Sequence, residues 1–171
     1  MFKKIFSIVC LILTAFSVNA FADSSSEILS DIGIFTEVSE NDESSISRLE
    51  FVTSLIKGFF PDTALSENAE NTFSDTNNRY AAYALNTGLV SGTSDGIFNP
   101  DTNVTYNQAV KMLINAIGYK ADGEYPSGYL KSAAECGLIR DDGTADSTIT
   151  REEAAQLILS GLNMYKVTYN E

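Results

Sequence analysis

The chain has 171 residues, with 11 basic and 23 acidic side chains, a formal net charge of −12, two cysteines and no histidine. The missing histidine excludes Ser-His-Asp and Cys-His catalysis and the commonest zinc ligand. A chain this acidic, with no basic stretch, is repelled by nucleic acid and by anionic membranes, so neither is expected as a partner.

The first segment reads as a leader that is removed. Lys3 and Lys4 precede an apolar run from Ile5 to Phe16, too short to span a bilayer comfortably, and Ala20-Phe21-Ala22 reads as an A-x-A cleavage site. Residues 1–22 are therefore expected to be a secretory signal peptide rather than a membrane anchor. Cys10 lies inside the apolar run, and no later segment reads as transmembrane. The mature chain, 23–171, then has 9 basic and 23 acidic residues and a net charge of −14. It is long enough for one domain with a core. Cys136 alone remains, so no intramolecular disulfide can staple the fold.

Beyond the leader the chain repeats itself. A short helix, Ile28 to Ile32, is expected to stop at Gly33; counterparts run from Tyr80 to Thr87 before Gly88 and from Tyr129 to Cys136 before Gly137. Each glycine is followed by aliphatic or aromatic residues, the pattern of a left-handed C-terminal stop with an apolar residue packing back. After each stop and a polar loop comes S/T-x-x-E/Q: Ser47 to Glu50, Thr105 to Gln108 and Thr150 to Glu153. That is the capping-box pattern, and the apolar pairs Ile46/Phe51, Val104/Ala109 and Ile149/Ala154 read as hydrophobic staples. The helices behind carry stripes at i, i+3, i+4 spacing: Phe51, Val52, Leu55, Ile56, Phe59; then Ala109, Val110, Met112, Leu113, Ala116, Ile117; then Ala154, Ala155, Leu157, Ile158, Leu162.

One such helix pair cannot bury its apolar face alone, whereas three can around a shared axis. The fold class expected is all-α, three helix-loop-helix repeats packed as a pseudo-threefold helical bundle. The divisions are repeat one plus linker at 23–66, repeat two at 67–121 and repeat three at 122–171.

The ordered motifs resemble those of the S-layer homology family. Repeat two carries Phe73-Ser74-Asp75, Tyr80-Ala81, Gly88-Leu89-Val90-Ser91-Gly92, Asp95-Gly96-Ile97-Phe98-Asn99-Pro100 and Val104-Thr105. Repeat three carries Tyr125-Pro126-Ser127-Gly128-Tyr129-Leu130 and Ile149-Thr150-Arg151-Glu152-Glu153-Ala154; repeat one keeps Gly33-Ile34 and Ile46-Ser47-Arg48-Leu49-Glu50-Phe51. The first repeat lacks the F-x-D lead-in, and the first and second are degenerate. The resemblance implies a three-pronged, non-catalytic domain that anchors secreted proteins to secondary cell-wall polysaccharide attached to peptidoglycan, often a polymer bearing a pyruvate ketal. It implies no cofactor and no metal.

The candidate ligand-binding residues are Arg48, Arg151, Tyr106, Tyr80, Tyr129, Asp75 and Gly92. Arg48 and Arg151 stand at the first position of their helices, where a cation opposes the helix dipole by roughly 0.3–1 kcal/mol. An anionic ligand explains them, since a guanidinium fork and free helix N–H groups suit a carboxylate. An inter-repeat salt bridge explains them equally well. Tyr106 stands where the family has this arginine: its groove is either dead or offers a ring to a sugar. Tyr80 and Tyr129 are either stacking platforms or core. The Gly92 to Pro100 loop shapes a turn, with Phe98 expected in the core, and it lacks the ligand ladder of an EF-hand. The overall negative charge does not forbid an anionic ligand, because the Debye length is about 8 Å at physiological salt and a local arginine dominates its own groove. The second functional reading is a cell-surface protein–protein module that has lost glycan binding. A glycosidase is disfavoured: acidic pairs are abundant, but none sits in a recognisable catalytic frame.

Overall fold

The computed structural model describes residues 24–36, 43–61, 65, 73–92, 96–140 and 146–168. The leader expected at 1–22 and the acidic pair Asp141-Asp142 lie outside them. The described residues form helices α1 (Ser25–Asp31), α2 (Arg48–Phe59), α3 (Arg79–Asn86), α4 (Tyr106–Ala116), α5 (Ser127–Glu135) and α6 (Arg151–Thr168). None lies in a β-strand; extended segments meet only in isolated bridges. The fold is all-α, as expected. No helix among the described residues is long and apolar enough to cross a membrane.

The starts and stops follow the sequence closely. Gly33, Gly88 and Gly137 have φ of +76°, +75° and +81°, the left-handed conformation that ends α1, α3 and α5. The Thr105/Gln108 box is reciprocal, and so is Thr150/Glu153, where the Glu153 N–H donates to Thr150 Oγ1 at 3.2 Å and the Thr150 N–H to Glu153 Oε2 at 2.8 Å. An unexpected fourth box, Ser24 with Glu27, starts α1 three residues earlier than periodicity alone indicates. The Ser47 box is only half made: Ser47 accepts the Glu50 N–H at 3.3 Å, but the Glu50 carboxylate is engaged elsewhere.

The three staple residues close the centre. The Ile46 N–H donates to Ile149 O at 3.2 Å, the Ile149 N–H to Val104 O at 3.0 Å, and the Val104 N–H to Ile46 O at 3.0 Å. This is a closed ring of backbone bonds, with all three side chains buried. Such a ring satisfies polar groups that burial would otherwise penalise. A second cycle lies outside it: the N–H groups of Arg48, Tyr106 and Arg151 donate to Thr102 O, Ser147 O and Ser44 O, each at 2.9 Å. Each long helix therefore begins against the loop that leads into another long helix.

Packing departs from the simple picture of three contiguous helix pairs. The long helices α2, α4 and α6 touch one another pairwise, while α3 packs on α2, α5 on α4 and α1 on α6. A short helix thus rests on the long helix assigned to another repeat in the sequence. Glu152 of α6 reinforces one of these contacts by accepting the N–H groups of Ser25 and Ser26 at 3.0 and 2.9 Å, at the start of α1.

Candidate functional site

The cyclic order brings each N1 side chain against a loop from another repeat. Arg48, at N1 of α2, has its guanidinium carbon 5.2 Å from the centroid of the Phe98 ring. Phe98 is buried and packs against Phe73 at 5.1 Å between centroids. Around Arg48 opens a cavity of about 260 Å³, lined also by Leu89, Val90, Ser91, Phe98, Asn99, Thr102, Gln108, Lys111, Met112 and Tyr125. Among the described residues no carboxylate lies within ion-pair distance of Arg48, and its buried Nε has no hydrogen-bond acceptor. Burial pushes the guanidinium pKa below its ordinary value, whereas a carboxylate partner would raise it.

Arg151, at N1 of α6, is placed differently. Its Nη2 lies 2.8 Å from Glu50 Oε1 and donates to Thr36 Oγ1 at 3.1 Å, and its guanidinium carbon stands 5.8 Å from the Phe35 ring centroid. Both side chains of the ion pair are largely covered, at 14% and 21% exposed. The two arginines, alike in their local motif, thus differ in surroundings: Arg151 makes a salt bridge to Glu50, and Arg48 faces a cavity.

The other candidates scatter. Tyr129 is half-buried and does not line the Arg48 cavity but touches two residues that do: it is in edge-to-face contact with Tyr125 at 6.3 Å, and Lys111 Nζ lies 5.2 Å from the Tyr125 ring centroid and 5.7 Å from that of Tyr129. Tyr106 packs partly buried against the core, as does Tyr80. Tyr80 lines a second cavity of about 240 Å³, with Ile32, Lys57, Phe60 and Leu65, which shares no residue with the first. Gly92 is required by close packing: a Cβ there would stand 2.8 Å from Phe73 Cε1.

Asp75 does not line the cavity but holds its wall. Its carboxylate accepts the Phe98 N–H at 2.9 Å and the Asn99 N–H at 2.7 Å. These bonds, that from Phe98 first, hold its carboxyl below the usual carboxylate range. A depressed folded-state pKa adds stability above the unfolded value of about 3.9 and loses it as pH falls through the folded value. Asp75→Asn is therefore expected to melt below the natural chain at pH 7 and to converge with it as pH falls through the folded value. Thermal melts across that range check this; a gap that stays constant with pH would contradict it.

A model of the S-layer homology domain matches residues 72–110. That segment is similar to an S-layer homology domain. The chain is also 26% identical over 131 residues to the middle cell wall protein of Brevibacillus brevis, and 26% identical over 132 residues to a cell surface protein of Thermoanaerobacter kivui. Those alignments cover 71% and 72% of this chain but span only 12% and 17% of the length of the two relatives.

The matched S-layer homology segment supplies one wall of the cavity, including Phe98, Asn99 and Gln108, and the flanking chain completes it with Arg48, Lys111 and Tyr125. Lys111, Gln108 and Tyr125 were not singled out as site residues from sequence. One signal was readable: Gln108 and Lys111 are three apart on a capped helix, hence on one face, the polar face opposite the apolar stripe. Tyr125 carries no such mark, since only the folded turn brings it beside Arg48.

Proposed function

We propose that this protein is a non-catalytic module that attaches to the cell wall by binding an acidic wall polysaccharide, with Arg48 at the centre of the site. The observation that carries the reading is a guanidinium with no ion-pair partner among the described residues, facing an open cavity between a buried ring and Lys111. A carboxylate such as a pyruvate ketal matches the guanidinium fork, and the exposed ring of Tyr125, with Tyr129 behind it, offers a face to the sugar. Pockets for drug-sized ligands run to roughly 300–1,000 Å³, so this smaller one suits a single sugar residue of a chain. The relatives, named for cell wall and cell surface, support a location there. The expected layout is a secretion signal at 1–22 and repeats at 23–66, 67–121 and 122–171. Hydrolysis of glycosides employs a pair of carboxyl groups, and no acidic residue is among the described residues that line the cavity.

Sedimentation of the mature protein with purified wall sacculi tests the proposal. The protein is expected to co-sediment with sacculi carrying pyruvylated polymer and to remain in solution once the pyruvate is removed by mild acid. Equal retention on both would overturn the anionic-ligand reading. Capture of a surface protein without any glycan binding would select the protein–protein alternative.

A further inference from the structure

The cyclic geometry assigns a role to the third residue of each long helix. Through its backbone bond to Ser44, the start of α6 sits on the loop into α2, and Arg151 thereby reaches Glu50, the third residue of α2, at 2.8 Å. Through its bond to Thr102, the start of α2 sits in the same way on the loop into α4. The third residue of α4 is Gln108, which lines the same cavity as Arg48. Gln108 is neutral and its amide oxygen is turned back to the Thr105 N–H, at 3.4 Å. At the third helix position the two sites thus differ in charge: a carboxylate meets one arginine, and an amide stands near the other.

Glu50 also gives up local stabilisation to make its pair. Its equivalents Gln108 and Glu153 both complete their capping boxes, whereas Glu50 leaves its own half made and spends its carboxylate on Arg151 and on Thr36 Oγ1, which donates to it at 3.2 Å. It occupies the guanidinium as a ligand carboxylate would.

We propose that the residue at positions 50 and 108 decides which arginine is open to an acidic ligand: Gln108 leaves Arg48 open to its cavity, and Glu50 occupies Arg151 from within. This rests on the glycan reading above and makes the protein monovalent, with a latent second site.

Exchanging the two residue types tests the gate without dismantling the fold, because Glu and Gln both serve at the third position of a capped helix. Two readouts are taken on the mature chain: modification of each arginine by phenylglyoxal, mapped by mass spectrometry, and calorimetric titration with a methyl hexoside bearing a 4,6-pyruvate ketal. In the natural chain Arg48 is expected to react about tenfold faster than Arg151, and one equivalent of sugar to bind, a tenfold ratio being about 1.4 kcal/mol of added pairing. Gln108→Glu is expected to slow Arg48 to the rate of Arg151 and abolish sugar binding. Glu50→Gln is expected to speed Arg151 and bring the stoichiometry to two. Reactivities that ignore both substitutions, with sugar still bound by the natural chain, would overturn the gate and leave the glycan reading standing. Reactivities that switch as stated, with no sugar bound by any form, would instead overturn the glycan reading.

Discussion

Arg48→Ala is expected to release the protein from wall sacculi while leaving its melting temperature almost unchanged, and Arg151→Ala is expected to do the reverse. Hydrogen bonds to a charged partner are worth about 1.5–3 kcal/mol, so losing the guanidinium weakens binding by roughly 10- to 100-fold. The fold loses little with it. The contact of Arg48 with the Phe98 ring contributes about 0.5–1 kcal/mol, and removing a cation from a helix N-terminus returns roughly 0.3–1 kcal/mol. Arg151 has the opposite balance. Its removal breaks the Glu50 pair and the bond to Thr36, and leaves a largely covered carboxylate without its cation. A cost on the order of 1–2 kcal/mol follows, which lowers Tm by about 2–4 °C per kcal/mol in a chain of this size. Sedimentation with sacculi and melts followed by circular dichroism separate the two variants. Loss of retention in Arg151→Ala with Arg48→Ala still bound would reverse the assignment of the site.

The contrast between these arginines marks where the sequence stopped being informative. Helix starts, stops and stripes are local, so capping boxes, C-terminal glycines and i, i+3, i+4 spacing were enough to place the three long-helix starts and the three glycine stops, while the start of α1 at its Ser24 box was missed. The burial of Ile46, Val104 and Ile149 followed from the staple pattern as well. Which elements touch was not local. The stripes of α2, α4 and α6 specify burial but not against what, and the pairing of each short helix with a neighbouring repeat emerges only when the staple residues close their ring. Asp75 shows the same limit: its type and position in a turn-rich segment suit a ligand contact, whereas its carboxylate pins the backbone beneath Phe98. The expectations at Arg48 and Arg151 rested on identical local chemistry, and the difference lies in distant residues, Phe98 lying 50 positions beyond Arg48 and Glu50 lying 101 before Arg151.

The turn that carries Tyr125 is the most sensitive point of the cavity wall, and Gly128→Ala is expected to disrupt it. A Cβ at Gly128 would stand 2.3 Å from the carbonyl carbon of Gly123 and 2.6 Å from both its Cα and its oxygen. These are backbone atoms, so no side-chain rotation relieves the clash. Gly123 has φ +117°, a conformation that favours glycine, so the facing strand of the turn is fixed as well. Tyr125 lies between the two glycines, and opening the turn moves it away from Arg48. Overpacking of this kind costs about 1–3 kcal/mol, so a fall in Tm of several degrees is expected together with weaker sugar binding. Gly58→Ala in α2 provides a control of opposite sign. Its Cβ would make ordinary contacts of 3.5 Å with Ile34 and 3.6 Å with Leu162, and exchanging glycine for alanine inside a helix stabilises by up to about 1 kcal/mol. Its Tm is expected to rise with binding unchanged. A Gly128→Ala protein that melts with the natural chain and binds equally well would mean that the two glycine backbones do not approach in solution, and that the wall beside Arg48 is built in some other way.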